Sequence, residues 1–137
     1  MVHRKNPKGA SFRPAVAATE LAILLPFLAS IFLMAVDYSR LFYSYVTVTD
    51  CARNGALYGM IDNNHAQDTS GIQNAALADA SNLNPQPTVG SATGTDANGN
   101  PYVEVTVTYK FQTIANYPGI PSLVSVSRKV RTEVVPP

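Results

Sequence analysis

Few residues in this sequence combine the chemical groups and the spacing that catalysis needs. His3 and His65 have no cysteine, serine or carboxylate at a spacing typical of a catalytic triad. The segment TDANGN, residues 95–100, carries Asp and Asn side chains at alternate positions, as a calcium loop does. It lacks the glycine and the glutamate that such a loop requires further on. We therefore predict a hairpin turn at this segment, and for the chain no enzymatic activity, no metal site and no cofactor.

The residue whose chemistry demands an explanation is Glu20. It lies in AVAATELAILLPFLASIFLMAV, residues 15–36, where every other side chain is apolar, small or a hydroxyl. As a helix these residues would rise about 33 Å, close to the ~30 Å hydrocarbon core of a bilayer. A carboxylate near the middle of a bilayer costs about 2.5–3.5 kcal/mol on insertion scales. Glu20 is therefore a candidate functional group, and the segment around it is a candidate membrane span.

The charged residues are distributed unevenly on the two sides of this span. Beyond Val36 the chain has six basic and eight acidic residues, whereas only basic residues precede the span. By the positive-inside rule, this asymmetry predicts a cytoplasmic N-terminus and an exported C-terminal part. The net charge of +1 and the lack of a basic run argue against nucleic acid as a partner. The basic residues of the leader are Arg4, Lys5, Lys8 and Arg13.

The element that must position Glu20 is a long helix, predicted to run about 40 residues because its apolar residues keep helical spacing beyond the span. Its second half is expected to be amphipathic and to pack on whatever follows, while Asp37 and Ser44 fall outside the apolar stripe. Gly55 and Gly59 are expected to weaken the helix before IDNNHAQD ends it. Aromatic residues just after the span suit the membrane interface. The predicted packing stripe consists of Tyr38, Leu41, Phe42, Tyr45, Val48, Ala52 and Ala56.

The remaining residues predict a small exported domain. A second helix is expected over 68–83, a short strand near Val89, and two longer strands over 102–111 and 123–135, separated by a proline-containing loop. The fold class is therefore α+β, with the long helix packed on a small antiparallel sheet. The single cysteine, Cys51, is expected to be a buried apolar side chain, and a disulfide to another chain is the second interpretation. The side chains predicted to share the inner face of the first long strand are Val103, Val105, Val107, Tyr109 and Phe111.

Residues 15–59 resemble the TadE-like proteins, which are pilin-like subunits of the tight-adherence, Flp-type IV pilus system. The elements that carry the resemblance are a glutamate at the mouth of the span, a Leu-Pro pair within it, an acid with an Arg-aromatic element after it, and a small-residue segment near the helix end. The closing segment SRKVRTEVV is also similar to the family's last strand. In this sequence those elements are Glu20, Leu25-Pro26, Asp37, Arg40-Leu41-Phe42 and Cys51 to Ala56.

The resemblance implies that a prepilin peptidase cuts between Ala15 and Val16, which makes Glu20 the fifth residue of the mature chain. The family usually has glycine before the cut, where this chain has Ala15. Glu20 would then pair with the new N-terminal amine of a neighbouring subunit. The implied partners are the prepilin peptidase, other pilin-like subunits, the pilus assembly machinery and membrane lipid. The implied location is the bacterial inner membrane, with a single span, a periplasmic or outer C-terminal domain, and incorporation into a surface pilus as a further outcome.

The predicted organisation has four parts, and two alternatives to a processed pilin remain open. The parts are a basic leader over 1–15, a span over 16–36, an amphipathic helix over 37–60 and an exported α+β domain over 61–137. An uncut chain would be a single-pass anchor. A conventional signal peptide would instead give an extracytoplasmic binding module, cut for instance after Ala35.

Overall fold

The computed structural model describes residues 12–119 and 121–136, with side chains from Val16 onward. Over these described residues three helices precede three strands, so the α+β class predicted from the sequence is confirmed. The chain divides into two compact units between Val36 and Asp37, and each is described by itself. The elements are α1 Phe12–Gly59, α2 Asn63–Gln67, α3 Thr69–Leu77, β1 Thr88–Thr95, β2 Pro101–Gln112 and β3 Leu123–Glu133.

The first unit contains the apolar part of α1. Its large apolar side chains, from Val16 to Met34, are exposed within this chain. The helix Val16–Gly59 is the one element in the described part of the chain that is long and apolar enough to cross a membrane. Pro26 lies inside the helix without ending it, and the Ser30 hydroxyl donates a hydrogen bond of 2.8 Å to the Pro26 carbonyl.

The sheet of the second unit is antiparallel, with β2 between β1 and β3. All the alternate apolar side chains predicted for the inner face of β2 are buried, because this face covers the core while the other face meets solvent. The segment TDANGN forms the turn between β1 and β2, as predicted. The Asp96 carboxylate accepts hydrogen bonds of 2.8 Å from the backbone N–H groups of Asn98 and Asn100.

Two glycines of α1 allow the helix to approach the sheet closely. A Cβ atom at Gly59 would lie 3.0 Å from the Val103 side chain, and one at Gly55 would lie 3.1 Å from the Val105 side chain. α1 continues through Gly55 and ends at Gly59, and the weakening of the helix by these glycines stays a prediction. Their missing side chains leave the space that β2 occupies.

Cys51 lies on the buried face of α1, with none of its surface exposed. Burial, with the nearby carboxylates of Asp79 and Asp50, raises the pKa of its thiol above the ordinary value. The prediction of a buried apolar cysteine is confirmed. A disulfide to another chain would require a thiol at the surface.

The buried face of α1 in the second unit differs from the predicted stripe. Tyr38 and Phe42 are exposed, whereas Asp37, Ser44 and Thr47 are buried. The Ser44 and Thr47 hydroxyls each donate to the helix carbonyl four residues earlier, at 3.0 and 3.1 Å, so they enter the interior with their donors satisfied. The prediction was wrong here because it ranked side chains by hydrophobicity alone.

The segment after α1 forms two short helices instead of the single helix predicted over 68–83. α2 lies within IDNNHAQD, the polar segment that was predicted to end the long helix without forming one itself. α3 ends at Leu77. The carboxylate of Asp68 caps α3 by accepting from the Gly71 N–H at 2.9 Å. It also accepts from the Tyr58 hydroxyl at 2.9 Å, which ties the cap to α1.

The Asp68 cap predicts how the stability of the second unit depends on pH. Hydrogen bonds from the Gly71 N–H and the Ser70 and Tyr58 hydroxyls lower the pKa of Asp68 from 3.8 to about 2. Because the folded-state pKa is depressed, this stabilisation is complete above pH 3.8 and is lost as the pH falls toward 2. We expect the thermal midpoint of the full chain in detergent to fall below about pH 4. Asp68→Asn should lower the midpoint at neutral pH and weaken its pH dependence, and an unchanged dependence would contradict this role.

Candidate functional site

Glu20 lies in α1 within the first unit, and its side chain is exposed. Within residues 16–119 and 121–136, no group forms a hydrogen bond or ion pair with its carboxylate. Val16, four residues earlier, is 56% exposed, and four residues of helix rise about 6 Å. The side chain of Ala15, on the other side of the predicted cut, lies outside the described residues. The carboxylate of Glu20 is therefore open to a partner from another chain.

The five helix residues predicted to form the packing surface do not share one face. Val48 and Ala52 are fully buried in the core, and Leu41 packs against it while partly buried. Phe42 is 60% exposed and Tyr45 is 40% exposed. The contact between helix and sheet therefore uses the second half of the predicted stripe together with Leu41, whereas Phe42 and Tyr45 are largely exposed.

The exposed aromatic side chains follow the predicted span in the sequence. Tyr38 is 72% exposed, Phe42 60% and Tyr43 55%. The Tyr45 ring is covered on one side by the Arg128 guanidinium of β3, whose central carbon lies 4.1 Å from the ring centroid. Exposed aromatic rings at these positions suit the headgroup layer of a membrane.

Asp37, the first residue of the second unit, connects α1 to the loop between β2 and β3. Its carboxylate accepts from the Ile114 N–H at 3.0 Å and from the Tyr117 hydroxyl at 3.0 Å. Arg40 donates to it at 3.2 Å, and only 6% of the Asp37 side chain remains exposed. The carboxylate therefore holds the start of a ten-residue connection, 113–122, against the helix.

The hydrogen bonds to Asp37 outweigh the effect of its burial. Burial raises the pKa of the Asp37 carboxyl, but the Ile114 and Ala115 N–H groups, the Tyr117 hydroxyl and the Arg40 charge together hold it below its ordinary value. Burial and the adjacent carboxylate raise the pKa of the Tyr117 hydroxyl, so it remains a donor. Sequence reasoning had placed Asp37 outside the apolar stripe and had given it no role in packing. The signal for another role was its position, an acidic residue directly after an apolar span.

The described part of the chain contains no group of three or more His, Cys, Asp or Glu side chains placed to hold a metal ion. His65 Nδ1 lies 2.8 Å from an oxygen of Asp62, the residue that caps α2. The backbone N–H of His65 donates to the same oxygen, so this pair fixes a helix end.

Within the described residues, these features define a class: one apolar helix able to span a membrane, a glutamate in that helix without a described partner, and a small α+β unit after it. The sequence model of the TadE-like protein family matches residues 15–57, which include Glu20 and Asp37. Over this segment the resemblance seen in the sequence is confirmed. The TadE-like family is a pilus-associated structural family, and the apolar helix fits a membrane protein associated with the Tad pilus. No curated protein and no solved structure gave a significant match to the chain.

Proposed function

We propose that this chain is a minor pilin-like subunit that takes part in assembling a tight-adherence type IV pilus, and hence in surface attachment. α1 anchors it in the bacterial inner membrane, with the N-terminus in the cytoplasm and the second unit exported. The observation that carries the proposal is the carboxylate of Glu20, which has no partner among the described residues and lies in an apolar helix matched by the family model.

The proposed mechanism is a charge pairing between subunits. A prepilin peptidase cuts between Ala15 and Val16, and the cut creates a free α-amine about 6 Å along the helix from the Glu20 carboxylate. Two subunits staggered along the helix axis can place the amine of one beside the carboxylate of the next. Each charge then offsets the cost of keeping the other in an apolar environment, so the pairing favours the assembled state over the single subunit.

The N-terminus of the mature protein tests this proposal. We expect the chain purified from membranes to begin at Val16, and to begin at Met1 in cells that lack the prepilin peptidase. N-terminal sequencing or intact mass measurement gives the answer directly. A mature chain that retains Met1 in normal cells would indicate an uncut anchor. A chain that starts at Val36 or later would indicate a signal peptide and a secreted binding module, and either result contradicts the processed pilin.

A further inference from the structure

β3 is an edge strand of the sheet with one open side. Among the described residues it pairs with β2 alone, in one unbroken antiparallel register. At the two ends of this register the Val134 N–H donates to the Pro101 carbonyl at 2.9 Å, and the Thr113 N–H donates to the Ser122 carbonyl at 3.1 Å. Bonded and non-bonded pairs alternate in an antiparallel ladder, so the even-numbered residues of β3 bond to β2. The odd-numbered residues direct their N–H and C=O groups away from the sheet.

The outward-directed backbone groups in the middle of β3 are accessible. The residues that carry them are exposed, and within the described residues none of these groups bonds to another strand or loop. A row of free donors and acceptors of this kind can be satisfied by the backbone of an added strand. The residues are Ser125, Ser127, Lys129 and Arg131.

The inner face of β3 covers the core incompletely at this edge. Val126 is 8% exposed, whereas Val124 and Val130 are only partly buried against the core. A strand added beside β3 would place every second side chain next to these valines, on the same face of the sheet. Apolar side chains at those positions would remove further apolar surface from water.

Arg128 lies between these valines on the inner face and has no charge partner within the described residues. The central carbon of its guanidinium is 4.1 Å from the centroid of the Tyr45 ring. Stacking of this kind uses the face of the guanidinium and leaves its N–H groups free to donate. The Arg128 Nε is buried without a hydrogen-bond partner, and the terminal nitrogens have no described partner either. By contrast, Lys129 and Arg131 both pair with Glu104 at 2.8 Å.

The charges of β3 disfavour pairing with the same strand of a second copy. A two-fold axis at Arg128 would place two arginines directly opposite each other, and an axis at Lys129 would do the same with two lysines. An axis at Val130 would place Lys129 opposite Arg131. Like charges directly opposite each other destabilise a strand pair, whereas a carboxylate opposite Arg128 would stabilise it.

We propose that β3 binds an extended segment of a different protein as a fourth strand of the sheet. The segment carries an acidic residue opposite Arg128, and the terminal N–H groups of Arg128 donate to its carboxylate. Apolar residues at the alternate positions on both sides of the acid lie opposite Val126 and Val130. The inference goes beyond the proposed function, because it assigns a binding edge to the second unit and a chemistry to the partner.

A capped peptide tests this edge with the full chain in a non-ionic detergent. The probe is fluorescein-labelled Thr-Gln-Val-Thr-Asp-Thr-Val-Gln-Thr, and the control peptide has asparagine in place of its aspartate. Fluorescence anisotropy measures both dissociation constants. We expect the aspartate peptide to bind about tenfold more tightly, because only its carboxylate forms charge-assisted hydrogen bonds with Arg128. Equal binding of the two peptides, or no binding at millimolar concentration, would overturn the inference.

Matched variants of the chain show whether Arg128 is the group that recognises the carboxylate. Arg128→Gln should weaken the aspartate peptide about tenfold and leave the asparagine peptide nearly unchanged, so that the two bind alike. Lys129→Gln removes a charge from the next residue, whose side chain lies on the outer face, and should keep the preference for aspartate. A preference that persists in Arg128→Gln, or that is lost to the same extent in Lys129→Gln, would contradict the pairing.

A second pair of variants tests whether the peptide adds to the sheet as a strand. Ser125→Pro removes an outward N–H and preserves the bonds from β3 to β2, since proline is tolerated where its nitrogen faces away from a sheet. Ser125→Ala keeps this N–H and is the control. We expect the proline variant to weaken both peptides about tenfold and the alanine variant to bind normally. Unchanged binding in Ser125→Pro would rule out strand addition.

Native mass spectrometry of the chain without peptide tests the alternative occupant, a second copy. We expect no dimer that depends on β3. A dimer that Ser125→Pro dissociates would assign the edge to a second copy and overturn the assignment to a different protein. These measurements use purified protein and do not depend on pili, so peptide binding by a chain with an uncut N-terminus would leave this inference standing and the proposed function refuted.

Discussion

Glu20→Gln is expected to leave the chain in the membrane and to reduce pilus assembly to below about one hundredth of the unmodified level. Removing one partner of a desolvated ion pair costs about 3–5 kcal/mol, because the other charge stays buried without compensation, and this corresponds to a factor of about 10² or more. Glutamine keeps the shape of the side chain and removes only its charge. The loss therefore reports on charge pairing and not on helix packing.

Membrane insertion of the same variant is expected to stay normal or to improve. A neutral side chain removes the insertion cost of a carboxylate within the apolar segment. Glu20→Ala should likewise insert normally into the membrane and lose pilus assembly. Carbonate-resistant membrane association measures insertion, and the yield of shed pili or surface adherence measures assembly.

Glu20→Asp is the matched control, since it keeps the charge and shortens the side chain by one methylene. We expect it to retain a substantial part of assembly, because an aspartate can still reach an amine with a small adjustment of the helix stagger. Under the simpler alternative, in which Glu20 is a carboxylate that reaches the membrane edge, all three variants would insert and assemble normally. Normal adherence of the glutamine variant, with the protein present in membranes, is the result that would rule out charge pairing.

The strands could be predicted because one physical condition applies along their whole length. The inner face of β2 is buried from Val103 to Phe111 and its outer face is solvated, so the apolar residues alternate as the backbone pleats. The hairpin turn at 95–100 could be predicted for a similar reason, since Asp and Asn make local hydrogen bonds that do not depend on distant residues.

The buried face of α1 could not be predicted in the same way, because distant parts of the chain determine it. Burial of Asp37 depends on the Ile114 N–H, 77 residues away. In the sequence, Gly55 and Gly59 predict only a weaker helix. Their role as contact points with the sheet becomes visible when β2 lies beside them. Exposed aromatic residues such as Phe42 contributed to the wrong stripe because hydrophobicity marks membrane-facing and core-facing side chains alike.

Glu20 differs from these residues of α1, because the sequence alone identifies it as a candidate functional residue. A charge inside an apolar segment departs from the pattern around it and needs no tertiary information to be noticed. The structure of one chain shows that Glu20 is exposed and has no partner within the described residues. The contact itself cannot be seen in one chain, because the partner belongs to another chain in the proposed assembly.

Asp37→Asn is expected to release the start of the β2–β3 loop and to lower the thermal midpoint of the second unit by at least about 4–8 °C. The three side-chain and backbone groups that contact this carboxylate, from Ile114, Tyr117 and Arg40, are all hydrogen-bond donors. An amide has one acceptor oxygen and one donor nitrogen, so either orientation places its NH₂ group against a donor. Asparagine therefore keeps the size of the side chain but leaves a buried N–H or hydroxyl without an acceptor.

Hydrogen–deuterium exchange in the full chain in detergent locates this effect. Because the Ile114 amide donates directly to Asp37, peptides that cover residues 113–118 should exchange faster in Asp37→Asn, while peptides from the centre of β2 should not change. Asp50→Asn makes the same chemical change on the same helix, at a side chain with no described hydrogen bond, and we expect it to preserve both the midpoint and the exchange pattern. If the two variants exchange alike over 113–118, Asp37 does not hold this loop. If only Asp37→Asn exposes it, the acid that follows the span fixes the start of the β2–β3 loop, which carries Ile114.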